Sequence, residues 1–248
     1  MSATWRTRHL FVAAGLALAF MAIALVLFRV PLANYVLAAY LQKVGIPGQA
    51  RVTALGFSGT TLEAVSLEEF EADSIEVDWD VSWRDGLVPR GITLQRPSLV
   101  LDMTVDRPPF RATRAALGDL DRADDGTAIA VPLISVEDGR ARLVAERGEI
   151  TATFNMSSEE APDGSVEFRG RAEAAGLGLD GEIDIQGAMQ GRHPVRLLVD
   201  LRGRDPESGD SLMVGARASF PHGETELHID AEGRLSAGPL LRLGLMPP

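Results

Sequence analysis

The chain has 248 residues, 24 Lys+Arg against 35 Asp+Glu, and an apolar content of 46%. That apolar content excludes a disordered chain, and a net charge of −11 excludes a protein held on nucleic acid by phosphate contacts. There is no cysteine, so neither disulfides nor thiolates hold or run this protein.

Leu10 to Phe28, LFVAAGLALAFMAIALVLF, is a run of 19 residues without a charge. As a helix at ~1.5 Å per residue it matches the ~30 Å hydrocarbon core of a bilayer. It is longer than the apolar region of a signal peptide, so an uncleaved anchor is expected. Arg6 and Arg8 precede it, which places the N-terminus in the cytoplasm and the bulk of the chain across the membrane. No acid precedes Val44, whereas Arg6, Arg8, Arg29 and Lys43 do; the remainder has 24 − 4 = 20 basic residues against 35 acidic, net −15. Pro31 is expected to end or kink the helix. LANYVLAAYLQKV beyond it predicts a short interfacial helix, with Tyr35 and Tyr40 suited to the membrane–water boundary.

From Arg51 on, the hydrophobic period is 2. In IEVDWDVSW, Ile75, Val77, Trp79, Val81 and Trp83 share one face, and Glu76, Asp78 and Asp80 share the other. PPFRATRAALGDL, residues 108–120, reads as a helix, and DRADDGTA as a polar link. The same alternation returns in EITATFNM, SVEFRGRAEA, GLGLDGEIDIQGAM, PVRLLVDLRG, SLMVGARASF and TELHIDAEGRL. In PVRLLVDLRG the inward set reads Val195, Leu197, Val199 and Leu201. Turn material such as EEAPDGS, GRHP and RDPESGDS separates the runs. This is the pattern of antiparallel strands with one dry and one wet face, joined as a meander.

The divisions expected are a transmembrane anchor over 1–30, an interfacial helix over 31–48, an anchor-proximal β region with a short helix over 49–120, and a β-sheet segment over 121–248. Inward positions hold many small residues, among them Ala152, Gly170, Ala172, Ala174, Gly181, Gly187, Ala216 and Ala218. Small residues and glycines let a curved sheet keep an open trough; a close-packed sandwich of small residues is the alternative.

Catalytic and metal chemistry find no anchor. His9, His193, His222 and His228 stand at no ligand spacing, and GLGLDG at 176–181 is followed by an alternating strand rather than the helix a dinucleotide site needs. DLDRADDG departs from a calcium loop at Ala123 and at Ala130. No catalytic, cofactor or metal residue, and no enzyme, is expected.

LANYVLAAYLQKVGI after the anchor, VTALGFSGTTLEAVSL, IEVDWDVSWRDGLVPRGITLQRPSLVLD and PLISVEDGRARLVAERGEITATFNM together carry a resemblance. The arrangement resembles the N-terminal portion of AsmA-like envelope proteins, the bacterial superfamily that includes TamB and YdbH, and looks closest to the YdbH branch. The resemblance implies an inner-membrane anchor and a groove-like, taco-shaped β-sheet in the periplasm. It also implies a role in moving phospholipid to the outer membrane, with no catalytic residues, and admits a periplasmic or outer-membrane protein as partner. The chain is short beside members that bridge the envelope, so it is expected to be a truncated or short relative. The groove lining would comprise Val77, Trp79, Val81, Leu99, Leu101, Ile150, Phe154, Phe168, Leu177, Leu179, Ile183, Ile185, Leu197, Val199, Val214, Leu227 and Ile229. The rival expectation is a structural or assembly protein whose dry face docks another protein.

Overall fold

A computed structural model of the chain describes residues 27–82, 86–104, 110, 132–146, 148–176, 179–190, 193–205, 209, 211–219 and 226–233. The apolar run up to residue 26, the 108–120 helix apart from Phe110, Trp83 and Leu177 lie outside the described residues. Among the described residues no helix is long and apolar enough to cross a membrane.

The protein is mainly β. Helix α1 (residues 27–44) leads into twelve strands: β1 (Gly48–Leu55), β2 (Gly59–Leu67), β3 (Phe70–Ser82), β4 (Gly86–Gln95), β5 (Ser98–Asp102), β6 (Leu133–Ala145), β7 (Gly148–Glu160), β8 (Val166–Gly176), β9 (Leu179–Gln190), β10 (His193–Arg204), β11 (Ser211–Ser219) and β12 (Glu226–Gly233). All belong to one sheet, in the order β1-β2-β3-β4-β6-β7-β8-β9-β10-β11-β12, with β5 between β3 and β6. The alternating apolar and polar residues produce this directly, since each strand turns one set of side chains to each face. The sheet is continuous across the 120/121 division.

Both the helix and the sheet depart from the sequence reading. The helix does not end at Pro31: the missing N–H removes one hydrogen bond, and the residues on either side stay helical. The sheet is also not a pure antiparallel meander, because β4 and β5 both run parallel to β6. Residues 103–132 separate β5 from β6, which is enough chain for the return a parallel pair requires.

β4 and β5 are one strand track broken at Arg96–Pro97. Arg96 takes a positive φ of 47° and Pro97 has no N–H to donate. The break is bridged from β6: the Arg96 N–H donates to the Glu137 carbonyl at 2.8 Å, and the Arg140 N–H donates to the Pro97 carbonyl at 2.7 Å. Between these two bonds β6 has its own bulge, with Asp138 at φ 53° and its N–H donating to Asn155 Oδ1 at 2.8 Å. The bulge shifts the inward set from Ile134 and Val136 to Gly139, Ala141 and Leu143. On β10 a register shift between Pro194 and Arg196 takes Val195 out of the ladder and leaves it exposed, so the inward set there begins at Leu197.

Both sheet ends bear on later argument. At the β1 end, Asn34 of α1 hydrogen-bonds the backbone of Val52. Nearby, the Trp79 indole N–H donates to the Phe57 carbonyl at 3.0 Å, tying the β1–β2 turn to β3. At the other end β12 pairs with β11 alone among the described residues.

Candidate functional site

The dry face is ordered in rows that cross the strands. Val52, Leu62, Ile75, Leu94, Val136, Met156, Gly170, Ile185, Val199, Ala216 and Ile229 are successive register partners from β1 to β12. No polar residue interrupts this row. Ten steps of ~4.8 Å make it about 48 Å long. A second row runs beside it through Val77, Ile92 and Ile134, then Ser158, Phe168, Gly187, Leu197, Ala218 and Leu227. Its one polar member in that stretch is turned onto backbone: Ser158 Oγ accepts from the Ile134 N–H at 2.6 Å and donates to the Ile134 carbonyl at 3.2 Å. A third row joins Gly139, Phe154, Ala172, Ile183, Leu201, Val214 and Ala231.

Glycines in these rows set the height of the surface. A Cβ on Gly187 would overlap the Phe168 ring, and one on Gly139 would lie 2.7 Å from the Phe154 ring. Both rings therefore lie flat over a neighbouring glycine instead of standing off the sheet. Gly187→Val should lift the Phe168 ring and cost about 1–3 kcal/mol. Thermal unfolding checks this, and the same substitution in a Phe168→Ala background should cost clearly less.

Among the described residues no second layer closes over this face. Among the described strand residues the buried hydrophobics are Val52, Val65, Ala72, Val136, Ala172, Ala188 and Ala218; no Leu, Ile, Phe, Met or Trp of a strand is among them. In a packed sandwich the large inward side chains lose nearly all contact with water. Here Ile150, Phe154, Phe168, Ile183, Ile185, Leu197, Val199 and Val214 are all half-buried.

The other expected lining residues fall as follows. Val77, Trp79, Leu99 and Leu101 are half-buried on the dry face, while Val81, near the end of β3, is 62% exposed. Leu179, Leu227 and Ile229 take their places by register, opposite Gly176, Ala218 and Ala216. Sequence reading missed Val52, Leu62, Ile92, Leu94 and Val136 as members. Bulges in β1 and β6 and the break after β4 hide the alternation that could have found them.

The wet face is laced by cross-strand ion pairs. Arg171 and Asp184, directly opposed, meet at 3.0 Å; Arg51 and Glu63, also opposed, meet at 3.4 Å; Arg142 reaches Glu149 at 2.6 Å. Hydrogen bonding to Glu149, with its charge, raises the Arg142 pKa above the ordinary arginine value, and Asp184 does the same for Arg171. Glu167 and Arg196 pair at 3.6 Å across Ala188, which lies between them in register and is 8% exposed. These exposed pairs are worth little to stability, but they keep the charged face wetted.

Two hollows are described. The larger, of about 880 Å³, is lined by Arg140, Arg142, Thr151, Thr153, Glu173, Asp180, Glu182, Arg202 and Arg204, with Ala141, Ala152, Ala174, Gly181 and Gly203 between them. By alternation its charged residues belong to the wet face. The smaller, of about 610 Å³, adjoins the β6 bulge and is lined by Arg96, Asp138, Asn155 and Arg171 with Phe154. Phe154 is the one expected lining residue in either. Among the described residues no cluster of three or more His, Asp or Glu could hold a metal.

Compared with known proteins, the chain matches no family model, no curated protein and no solved structure.

Proposed function

We propose that the protein is an inner-membrane-anchored periplasmic protein whose dry face carries phospholipid acyl chains between the inner and outer membranes. The observation that carries this reading is the unbroken apolar row from Val52 to Ile229, whose large members Ile75, Leu94, Met156, Ile185 and Val199 are half-buried with no second layer over them among the described residues. In this reading the sheet curls along its length into a taco-shaped groove with the rows inside and the acidic face in water. Each methylene removed from water is worth about 0.8 kcal/mol, so two acyl tails gain many times that. Because the row offers no polar stop, the gain is spread evenly and no single position traps the lipid. Nothing in the reading requires catalysis, a metal or a cofactor.

A photoreactive amino acid at Ile185 of the full-length protein in its host membrane tests it. A phospholipid adduct at 185, and none at exposed Asp200, is the expected result. A protein adduct at 185 would favour the envelope-assembly reading, in which another protein covers the face.

A further inference from the structure

α1 has two faces, and only one is used by the sheet. Val30, Ala33, Asn34, Leu37 and Leu41 are half-buried or buried. Phe28, Leu32, Tyr35, Val36 and Tyr40, on the opposite side of the same turns, are between 46% and 74% exposed. Five large apolar side chains at spacings of three and four form a continuous outward stripe. A stripe of this kind on a protein surface marks a docking site.

Asn34 makes the used face specific. Its Nδ2 donates to the Val52 carbonyl at 2.8 Å, and its Oδ1 accepts from the Val52 N–H at 2.8 Å. A side-chain amide thus stands in for the next strand at the edge of β1, where open backbone groups would otherwise invite pairing. Val52 is also the first member of the apolar row.

We infer that α1 docks its outward stripe in a phospholipid bilayer, and that the Asn34–Val52 clasp thereby holds the first residue of the apolar row at the membrane surface. Three observations select a bilayer over another protein. The stripe begins at Phe28, where the uncharged run Leu10–Phe28 ends. Tyr35 and Tyr40 are amphipathic residues at home in the headgroup layer. Arg29 and Lys43 are the only charges on α1, both basic, ahead of a chain from Val44 on whose net charge is −15 by the count given above. Anionic headgroups attract this helix and repel the wet face of the sheet. The inference rests on the membrane placement proposed above and not on lipid movement along the sheet.

The absence of native cysteine allows single fluorescent labels at Leu32→Cys, Tyr35→Cys, Ala54→Cys and Asp200→Cys. The full chain is reconstituted in vesicles of phosphatidylethanolamine and phosphatidylglycerol, and quenched by nitroxide-bearing lipid or by aqueous iodide. Labels at 32 and 35 should be quenched severalfold more by lipid nitroxide than the label at 200, and be protected from iodide. Iodide access at 32 and 35 without nitroxide quenching overturns the docking, and so does shielding from both quenchers, which would mean that protein covers the stripe. The label at 54 should be quenched by a headgroup nitroxide and lose that quenching in Asn34→Ala, while position 35 keeps its own. Unchanged quenching at 54 overturns the clasp. Docking of α1 without lipid adducts at Ile185 would overturn lipid transport alone; adducts with α1 in water would overturn this inference alone.

Discussion

An Ile185→Asp protein is expected to stay folded and to lose at least about nine-tenths of its phospholipid adducts at neighbouring Val199. Ile185 stands in the middle of the apolar row, opposite Gly170 and Val199, and is half-buried. With no layer above it among the described residues, a carboxylate there keeps its water when the face is empty, and losing the isoleucine costs about 1 kcal/mol of stability. An acyl chain passing the same point must strip that water at a cost of about 2 kcal/mol or more, and every 1.4 kcal/mol is a tenfold loss of occupancy. Asp200→Ile, on the wet face, should change neither stability nor adducts appreciably. Asp184→Ile would be a poorer control, because Asp184 holds Arg171. Thermal unfolding with adduct mass spectrometry at Val199 reads both quantities. Outright unfolding would point to a packed core, and full retention of adducts would remove the dry face as the lipid path.

The second large effect is expected at Gly176. Its φ is +142°, and a Cβ there would overlap the Glu149 carbonyl oxygen and lie 2.9 Å from the Ile150 Cα. Those atoms are backbone of the paired strand, so they cannot swing aside as a side chain could. Gly176→Ala should cost on the order of 3 kcal/mol and loosen the β7–β8 pairing at Ile150. Gly86 and Gly164 also have positive φ, at +76° and +78°, but open space around the missing Cβ. Alanine at either should cost only about 1 kcal/mol, the local penalty of a left-handed residue. Melting temperatures and amide exchange at Ile150 separate the cases; equal effects at the three sites would refute the clash.

The alternation in residues 150–156, 166–174, 181–189 and 197–201 was readable because each strand repeats its own pattern without a fault. The face of Ile150, Phe154, Phe168, Ile183 and Ile185 followed from it. Residues 133–145 were harder. The bulge at Asp138 changes which parity points inward, and no local pattern announces a positive φ on an aspartate. The parallel pairing of β4 and β5 with β6 was hidden for a different reason. A strand's composition records what its two faces touch, but not the direction of its neighbour. The flat rings of Phe168 and Phe154 are likewise a cross-strand property: Phe168 and Gly187 are 19 positions apart in sequence and adjacent only after pairing. Asn34 read as an ordinary residue of an apolar helix, because its partner is the backbone of another element.

The parallel seam also governs how the sheet is assembled in time. Along the sheet path every other neighbouring pair is joined by a turn of six residues or fewer, so each can zip onto the last as a local hairpin. The β5–β6 pairing must instead close residues 103–132, and closure entropy grows with the length enclosed. Local pairings form fast and distant ones slowly. β1–β4 and β6–β12 are therefore two zippers that start independently, and the Arg96–Pro97 break facing the β6 bulge is where they meet. The slow step in making the long apolar row is joining Leu94 to Val136, the one link whose partners belong to different zippers.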